Sequence, residues 1–261
     1  MRTRNNDADH VNNLYVKQNT LNARIALHQQ HSTNPYGWNN WVFDQIELKP
    51  DMRILELGCG TAALWSEHID RVPNHIEILL TDFSETMLGD ARSAIGNDPR
   101  FSFRQMDIQQ IETNDDTFDA VIANHMLYHV PDIDKGLAEV ARVLKPTGQL
   151  YTSTFGRDTL KELFDLYTPF VDRIPFTLVT EAPFILENGE TLLQKHFADV
   201  ERRDYIDSLH VTDPEALLRY IHSVQPIPPE LADEFDAHIR AAFAPSGALH
   251  ITKQQGIFIS K

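Results

Sequence analysis

Cysteine is nearly missing from this chain. Cys59 is the only one among 261 residues, which excludes an intramolecular disulfide and any metal site built on several thiolates. Basic clusters are missing too: 23 Lys and Arg stand against 38 Asp and Glu, a formal net charge of −15. Neutralising a phosphate backbone takes clustered cations, so the composition argues against nucleic acid as a partner. No apolar run approaches the roughly 20 residues of a membrane span, and polar residues 1–13 lack the apolar core of a signal peptide. A cytoplasmic protein with no membrane partner is the expectation. The histidines show no close pairing of a helix-borne ligand set; His28 and His31 stand only three apart, so no metal is expected.

What is present is a stretch, residues 54–64, that reads as strand, glycine turn and helix start. Glu56 closes the apolar run, and Gly58 and Gly60 leave backbone N–H groups open to a ligand because no Cβ stands in the way. Before it, residues 8–31 carry Val11, Leu14, Tyr15, Leu21 and Ile25 at helical spacing, and Trp38, Trp41, Val42 and Ile46 mark a second amphipathic piece. These two pieces either glue an N-terminal extension to the core or, through Tyr15, Tyr36 and Trp38, wall a ligand pocket.

After the turn at 49–51, strand-like and helical runs alternate. Strands are expected at 53–57, 76–81, 101–106, 118–123 and 149–154, with helices at 62–69, 84–95 (capped by Ser84) and 133–144 between them. Residues 145–148 read as a turn, Lys-Pro-Thr-Gly. This beat predicts a largely parallel sheet covered by helices on both faces. Ligands of such sheets bind outside the carboxyl ends of the strands. Glu56, Asp82, Asp107 and Asn124 all stand at strand ends and should gather on one rim. Beyond residue 157 the beat stops. A helix over 157–171, a short helix after Glu187-Asn188-Gly189, a strand at 200–209, a helix from Asp213-Pro214, a helix over 230–243 and a strand at 249–260 follow.

Residues 58–63 also fit a loose dinucleotide fingerprint, with Asp82 at a suitable distance to take ribose hydroxyls. Glu56 argues against a pyrophosphate, because like charges repel in a partly dry site and no arginine accompanies the turn. A cofactor with a positive centre suits this rim better. The chain resembles the class I S-adenosylmethionine-dependent methyltransferases of the small-molecule type, those with a type 11/12-like domain. The segments LELGCGTAALW (55–65), LLTDFSETML (79–88), FRQMDIQQI (103–111), FDAVIANHMLYHVPD (118–132) and LAEVARVLKPTGQLYTSTF (137–155) carry that resemblance.

The resemblance implies a Rossmann-like, doubly wound, mostly parallel seven-stranded sheet, with S-adenosylmethionine as cofactor and S-adenosylhomocysteine as product. It assigns Glu56, Gly58, Cys59 and Gly60 to the methionine end and Asp82 to the ribose. Phe83, Met87, Asp107 and Ile108 fall around the adenine, and the main chain of Asn124 faces the methionine ammonium. Cys59 reads as a small turn residue rather than a nucleophile. Ala62 departs from the family, which often has a third glycine there. Tyr15, His125, Tyr128 and His129 are the candidates for a general base. Residues 1–48 are expected as a helical cap and 49–261 as the methyltransferase domain. An insertion at about 157–197, rich in phenylalanine (Phe164, Phe170, Phe176, Phe184), would cover a partly hydrophobic small-molecule acceptor. An NAD(P)-dependent oxidoreductase and a non-catalytic S-adenosylmethionine-binding protein are the alternatives.

Overall fold

The structure, a computed structural model, describes residues 26–174 and 182–261. Tyr15 and Phe176 lie outside the described residues. Seven strands form one sheet: Arg53–Leu57 (β1), Glu77–Asp82 (β2), Phe101–Gln105 (β3), Phe118–Asn124 (β4), Leu144–Phe155 (β5), Val200–Val211 (β6) and Leu249–Ser260 (β7). Their order is β3-β2-β1-β4-β5-β7-β6. β1 to β5 run parallel, whereas β7 is antiparallel to both β5 and β6. The chain winds outward from β1 to β3, then crosses back to place β4 on the other side of β1. That reversal leaves a crevice at the carboxyl ends of β1 and β4, where open α/β sheets bind ligands.

Side chains alternate between the two faces of a strand. On β1, Ile54 joins Ile78, Leu80 and Ile122 in a cluster on one face. Leu55 and Leu57 join Val121, Ala123 and Val140 on the other. Helices Trp38–Gln45 (α1), Ala63–Ser66 (α2) and Glu85–Ile95 (α3) contribute to the first cluster, and Ile133–Val143 (α4) to the second. On α4, Leu137, Val140 and Val143 are fully buried, each worth about 1.5–3 kcal/mol of transfer free energy. A third cluster joins Lys161–Tyr167 (α5), Pro214–Val224 (α7) and Ala232–Ala242 (α8) to Leu209, Val211 and Ile251 of the last two strands.

β6 and β7 pair along their whole twelve-residue length, but β5 reaches β7 only over Leu150–Phe155 against Gln255–Ser260. Residues 249–254 of β7 and their partners on β6 therefore overhang the carboxyl end of the sheet. Residues 32–34 extend this overhang, with Thr33 N–H donating to the Ser208 carbonyl at 2.9 Å.

Several expected elements change shape. The helix expected over 62–69 is only α2, followed by a single 3-10 turn at Ile69–Arg71. The buried His68 ring ends it, one nitrogen 2.7 Å from the Leu64 carbonyl and the other 2.8 Å from Asn40 Oδ1. Residues 145–148 are not a separate turn but an irregularity early in β5, where the pairing steps from Phe118↔Leu144 to Ala120↔Gln149. Glu187-Asn188-Gly189 lies inside Leu186–Leu193 (α6) rather than before it. Asn188 Oδ1 caps that helix by accepting from Ile185 N–H at 2.8 Å, and a Cβ on Gly189 would stand 2.5 Å from the Phe258 ring. Over 157–171 the helix shortens to α5 plus a 3-10 turn at Thr168–Phe170. Phe170 packs edge-on against Phe235, and Phe184 against Phe258, so both serve the core.

Candidate active site

The glycine turn follows β1 directly. Gly58 and Gly60 adopt φ of 68° and 54°, a left-handed backbone that favours glycine. A Cβ at Gly58 would also lie 2.9 Å from Met126 Cβ, so the turn and the segment after β4 touch through hydrogen alone. Ala62 shares the left-handed region, φ 58°, at the start of α2. Here a methyl stands where the family often has glycine, at a cost of roughly 1–2 kcal/mol.

Glu56 is 2% exposed, and its Oε2 accepts from Trp65 Nε1–H at 2.5 Å. Burial pushes its carboxyl up to about 7, with the Trp65 hydrogen bond opposing and the Asp82 charge adding to the rise. Among the described residues no Lys or Arg forms an ion pair with it. A buried carboxyl without a counter-ion is a ready partner for a cationic ligand and a poor neighbour for a pyrophosphate.

Asp82 ends β2. Its Oδ2 accepts from Gly60 N–H at 2.9 Å and its Oδ1 from Ser84 N–H at 2.8 Å, so one carboxylate ties the glycine turn to the start of α3. Burial raises its pKa, and the backbone hydrogen bonds oppose that rise. A carboxylate offers about four lone-pair sites, so acceptor capacity remains for a diol. Phe83, 43% exposed, presents an open ring beside it. Met87 is buried, its N–H donating to Ser84 Oγ at 3.4 Å. Asp107 is turned onto Gln109, with Oδ1 accepting from that residue's backbone and side-chain amides at 2.8 and 3.1 Å. Ile108 is buried against α4, which approaches closely because residue 136 is glycine. The Cys59 thiol is buried, which pushes its pKa far up, and it is no nucleophile here.

On the far side of the crevice, Asn124 ends β4 and its Oδ1 accepts from the Ser153 hydroxyl. The next residue, His125, is held at φ 52° by its N–H donating to the Ser153 hydroxyl (3.0 Å) and carbonyl (3.2 Å). Its imidazole lies tilted against Trp38 at 5.0 Å and 6.3 Å from Tyr128, whose ring also meets His129 at 4.5 Å and Phe155 at 4.9 Å. Burial pushes His125 down to about 3, with Lys253, His28 and His129 adding to the shift.

The strand ends thus bring Glu56, Asp82, Asp107 and Asn124 to one rim, with His125, Tyr128 and His129 at its β4 side. Tyr36 does not wall this site: it is 48% exposed and its hydroxyl donates to Asp44. Two partners escape a reading of the sequence. Trp65 sits inside the quoted glycine segment, nine residues past Glu56, and a helical tryptophan so close to a strand-end acid is a usable signal. Ser153 has none, since only the β4–β5 pairing brings it to Asn124.

Residues 54–148 match the family model of a methyltransferase domain. A demethylmenaquinone methyltransferase of Desulfitobacterium hafniense (strain Y51) is 32% identical over 127 residues, 48% of this chain and 50% of that protein. The chain spans about half the length of the curated relatives it matches. Among solved structures, Haemonchus contortus phosphoethanolamine N-methyltransferase 2, in complex with phosphomonomethylethanolamine and S-adenosylhomocysteine, superposes with TM-score 0.57 at 20% identity, over 94% of this chain and 58% of that one. The [4+2]-cyclase SpnF superposes with TM-score 0.59 at 19% identity, over 97% and 96%. These likenesses share the fold, which by itself does not fix the chemistry. The matched segment, residues 54–148, is the one that carries the glycine turn, Glu56, Asp82, Asp107 and Asn124, so the likeness to a methyltransferase domain falls on the site itself.

Proposed function

We propose that this chain transfers the methyl group of S-adenosylmethionine to a small-molecule acceptor on the rim between β4 and the β6–β7 overhang. The observation that carries this reading is Glu56, a buried carboxyl beside a glycine turn with no counter-ion among the described residues. When bound, the cofactor supplies a sulfonium whose methyl is already activated toward a nucleophile. The protein's part is then to bind, orient and exclude water.

Glu56 and the Gly58–Gly60 backbone would hold the methionine end, and Asp82 would accept from the ribose hydroxyls. Phe83, Met87, Asp107 and Ile108 would bound the adenine, with Asp107 exchanging part of its hold on Gln109 for the ring amine. The Asn124 main chain would face the methionine ammonium. Of the base candidates, His125 is suited to a neutral hydrogen-bonding role, since a group titrating near 3 holds a proton poorly near pH 7. That leaves Tyr128, His129 and Tyr15 for acceptors that must lose a proton. Residues 1–48 and 157–197 would help the overhang to cover the acceptor, and the chain would work in the cytoplasm.

Calorimetric titration with S-adenosylhomocysteine and with NADH tests the assignment. Saturable binding of S-adenosylhomocysteine alone is expected; binding of NADH alone would replace it with the dinucleotide reading. Methyl transfer from labelled S-adenosylmethionine in a small-molecule extract separates an enzyme from a silent binder.

A further inference from the structure

The tip of the β6–β7 overhang sets two histidines face to face. His210 and His250 are directly opposed in the antiparallel register, and opposed residues project from the same face of a sheet. Their rings lie 4.5 Å apart, with His210 Nδ1 3.2 Å from His250 Nε2. A third histidine arrives from another part of the chain. The bridge Ser32↔Leu209 is antiparallel, so the next step of its register sets His31 opposite His210. His31, His210 and His250 line one open cavity of about 700 Å³. Along the sequence the nearest histidine to His31 is His28; the fold gives it two other neighbours, from strands far along the chain.

What the cavity lacks narrows its ligand. Besides the three histidines, its lining is Gln30, Ser32, Thr33 and Thr212, with no carboxylate, Lys or Arg among the described residues. Calcium and magnesium are held chiefly by carboxylate and carbonyl oxygens, and an anion finds no lysine or arginine there. Imidazole nitrogen suits zinc, copper and nickel instead. Two nitrogens 3.2 Å apart, each about 2.0–2.1 Å from one zinc ion, subtend about 100° at the metal, close to a tetrahedral angle. The spacing of this pair is thus that of a hydrogen bond and also that of a chelate. In the hydrogen-bonded pair one facing nitrogen carries the hydrogen. Moving it to the other nitrogen of the same ring leaves a lone pair on both facing atoms, so two neutral rings become ligands without losing a proton.

We propose that His210, His250 and His31 form a binding site for a divalent transition ion of the zinc class, which pins residues 30–33 to the tip of the overhang. The opposed pair is the preformed part. Among the described residues no three His, Cys, Asp or Glu side chains already surround one metal position, so the half-buried His31 ring turns toward the pair to complete the protein ligands, and water takes the open position. None of the lining residues belongs to the cofactor rim, and the site stands independently of the methyltransferase reading.

The test uses the full-length protein without an affinity tag, stripped of metal by a chelator and titrated calorimetrically with zinc chloride and, separately, magnesium chloride. Saturable binding of one zinc ion per chain is expected, with no magnesium binding at the same concentrations. His210→Ala, His250→Ala and His31→Ala should each weaken zinc binding by about tenfold or more, since even a partner behind a metal ligand is worth that much. Zinc should raise the melting temperature of the wild type, because it binds the folded chain, and leave that of the His210→Ala, His250→Ala double variant unmoved. Metal-free melting temperatures establish that the variants are folded. Should one not fold, the wild type alone still decides: zinc should shift the imidazole NMR signals of these three histidines. Absence of saturable zinc binding, wild-type affinity in any of the three folded single variants, equal binding of magnesium, or zinc shifts confined to other histidines would each overturn the site.

Discussion

Glu56 makes the site's electrostatics measurable. Its carboxyl titrates near 7 in the fold against an ordinary value of 4.5, chiefly because of burial. The folded protein without cofactor therefore prefers the protonated form. Below about pH 4.5 the group is neutral in both folded and unfolded chains and costs nothing. Between about pH 4.5 and 7 the unfolded chain loses its proton while the fold holds it, so stability falls as pH rises, then levels off. A displacement of 2.5 between the two values corresponds to about 3 kcal/mol. For a chain of this size that is roughly 6–12 °C in melting temperature.

Other groups slope the other way. His28 and His125 titrate well below 6.5, so their contribution is present above 6.5 and is lost as pH falls toward 4 and 3. The diagnostic is therefore the difference between wild type and Glu56→Gln. Across about pH 5 to 8, the variant without cofactor should gain on the wild type by those roughly 6–12 °C. Cofactor binding should reverse the preference, because an ammonium beside Glu56 favours the carboxylate. S-adenosylhomocysteine binding to the wild type should then release a fraction of a proton near pH 7, and affinity should climb with pH up to about 7 and flatten above it. Calorimetry in buffers of different ionisation enthalpy reads the proton directly. No buffer dependence in the wild type, or the same pH slope in Glu56→Gln, would refute the reasoning.

Asp82→Ala removes the acceptor shared by Gly60 N–H and Ser84 N–H and should weaken S-adenosylhomocysteine binding well over tenfold, measured by titration; unchanged affinity would remove Asp82 from the site. Gly58→Ala meets both a left-handed backbone and Met126 Cβ at 2.9 Å, and Met126→Ala keeps that Cβ, so it should rescue only the part due to the outer Met126 side chain and leave more than the roughly 1–2 kcal/mol of the left-handed backbone in denaturant melts. Removing one member of the buried Lys253–Asp207 pair should cost about 3–5 kcal/mol, because the other charge is stranded. The double replacement Lys253→Met with Asp207→Leu should cost less than Lys253→Met alone, and additive losses in a thermal-melt cycle would show that the pair is not coupled.

Much of the sheet could be read along the chain. The alternation of apolar runs places β1 to β4 and α3 within a residue or two, and β7 at its observed bounds, because burial on alternate faces leaves a period that local sequence carries. Caps are legible for the same local reason: Ser84 accepts from Met87 N–H and Asp213 from Glu215 N–H. Legibility ends where a residue's role depends on something distant. The turn-forming residues 145–148 are absorbed into β5 by pairing with β4, and Gly189 reads as a turn yet exists to let α6 approach Phe258.

The sequence by itself determined the repeating strand–helix order, the glycine turn and the placing of Glu56, Asp82, Asp107 and Asn124 at strand ends. Each of these follows from chemistry within a few residues. Only the tertiary structure decided what surrounds them. Trp65 reaches back to Glu56, Ser153 fastens Asn124 and His125 across the sheet, and the β6–β7 overhang carries Tyr205, Asp207, Lys253 and Gln255 over the rim. Ser153 is brought there by the parallel β4–β5 pairing, and the overhang's residues by antiparallel pairing between segments about forty to fifty residues apart, from Val211↔Leu249 to Tyr205↔Gln255; a register between distant strands is set by the whole packed sheet rather than by either strand's own pattern.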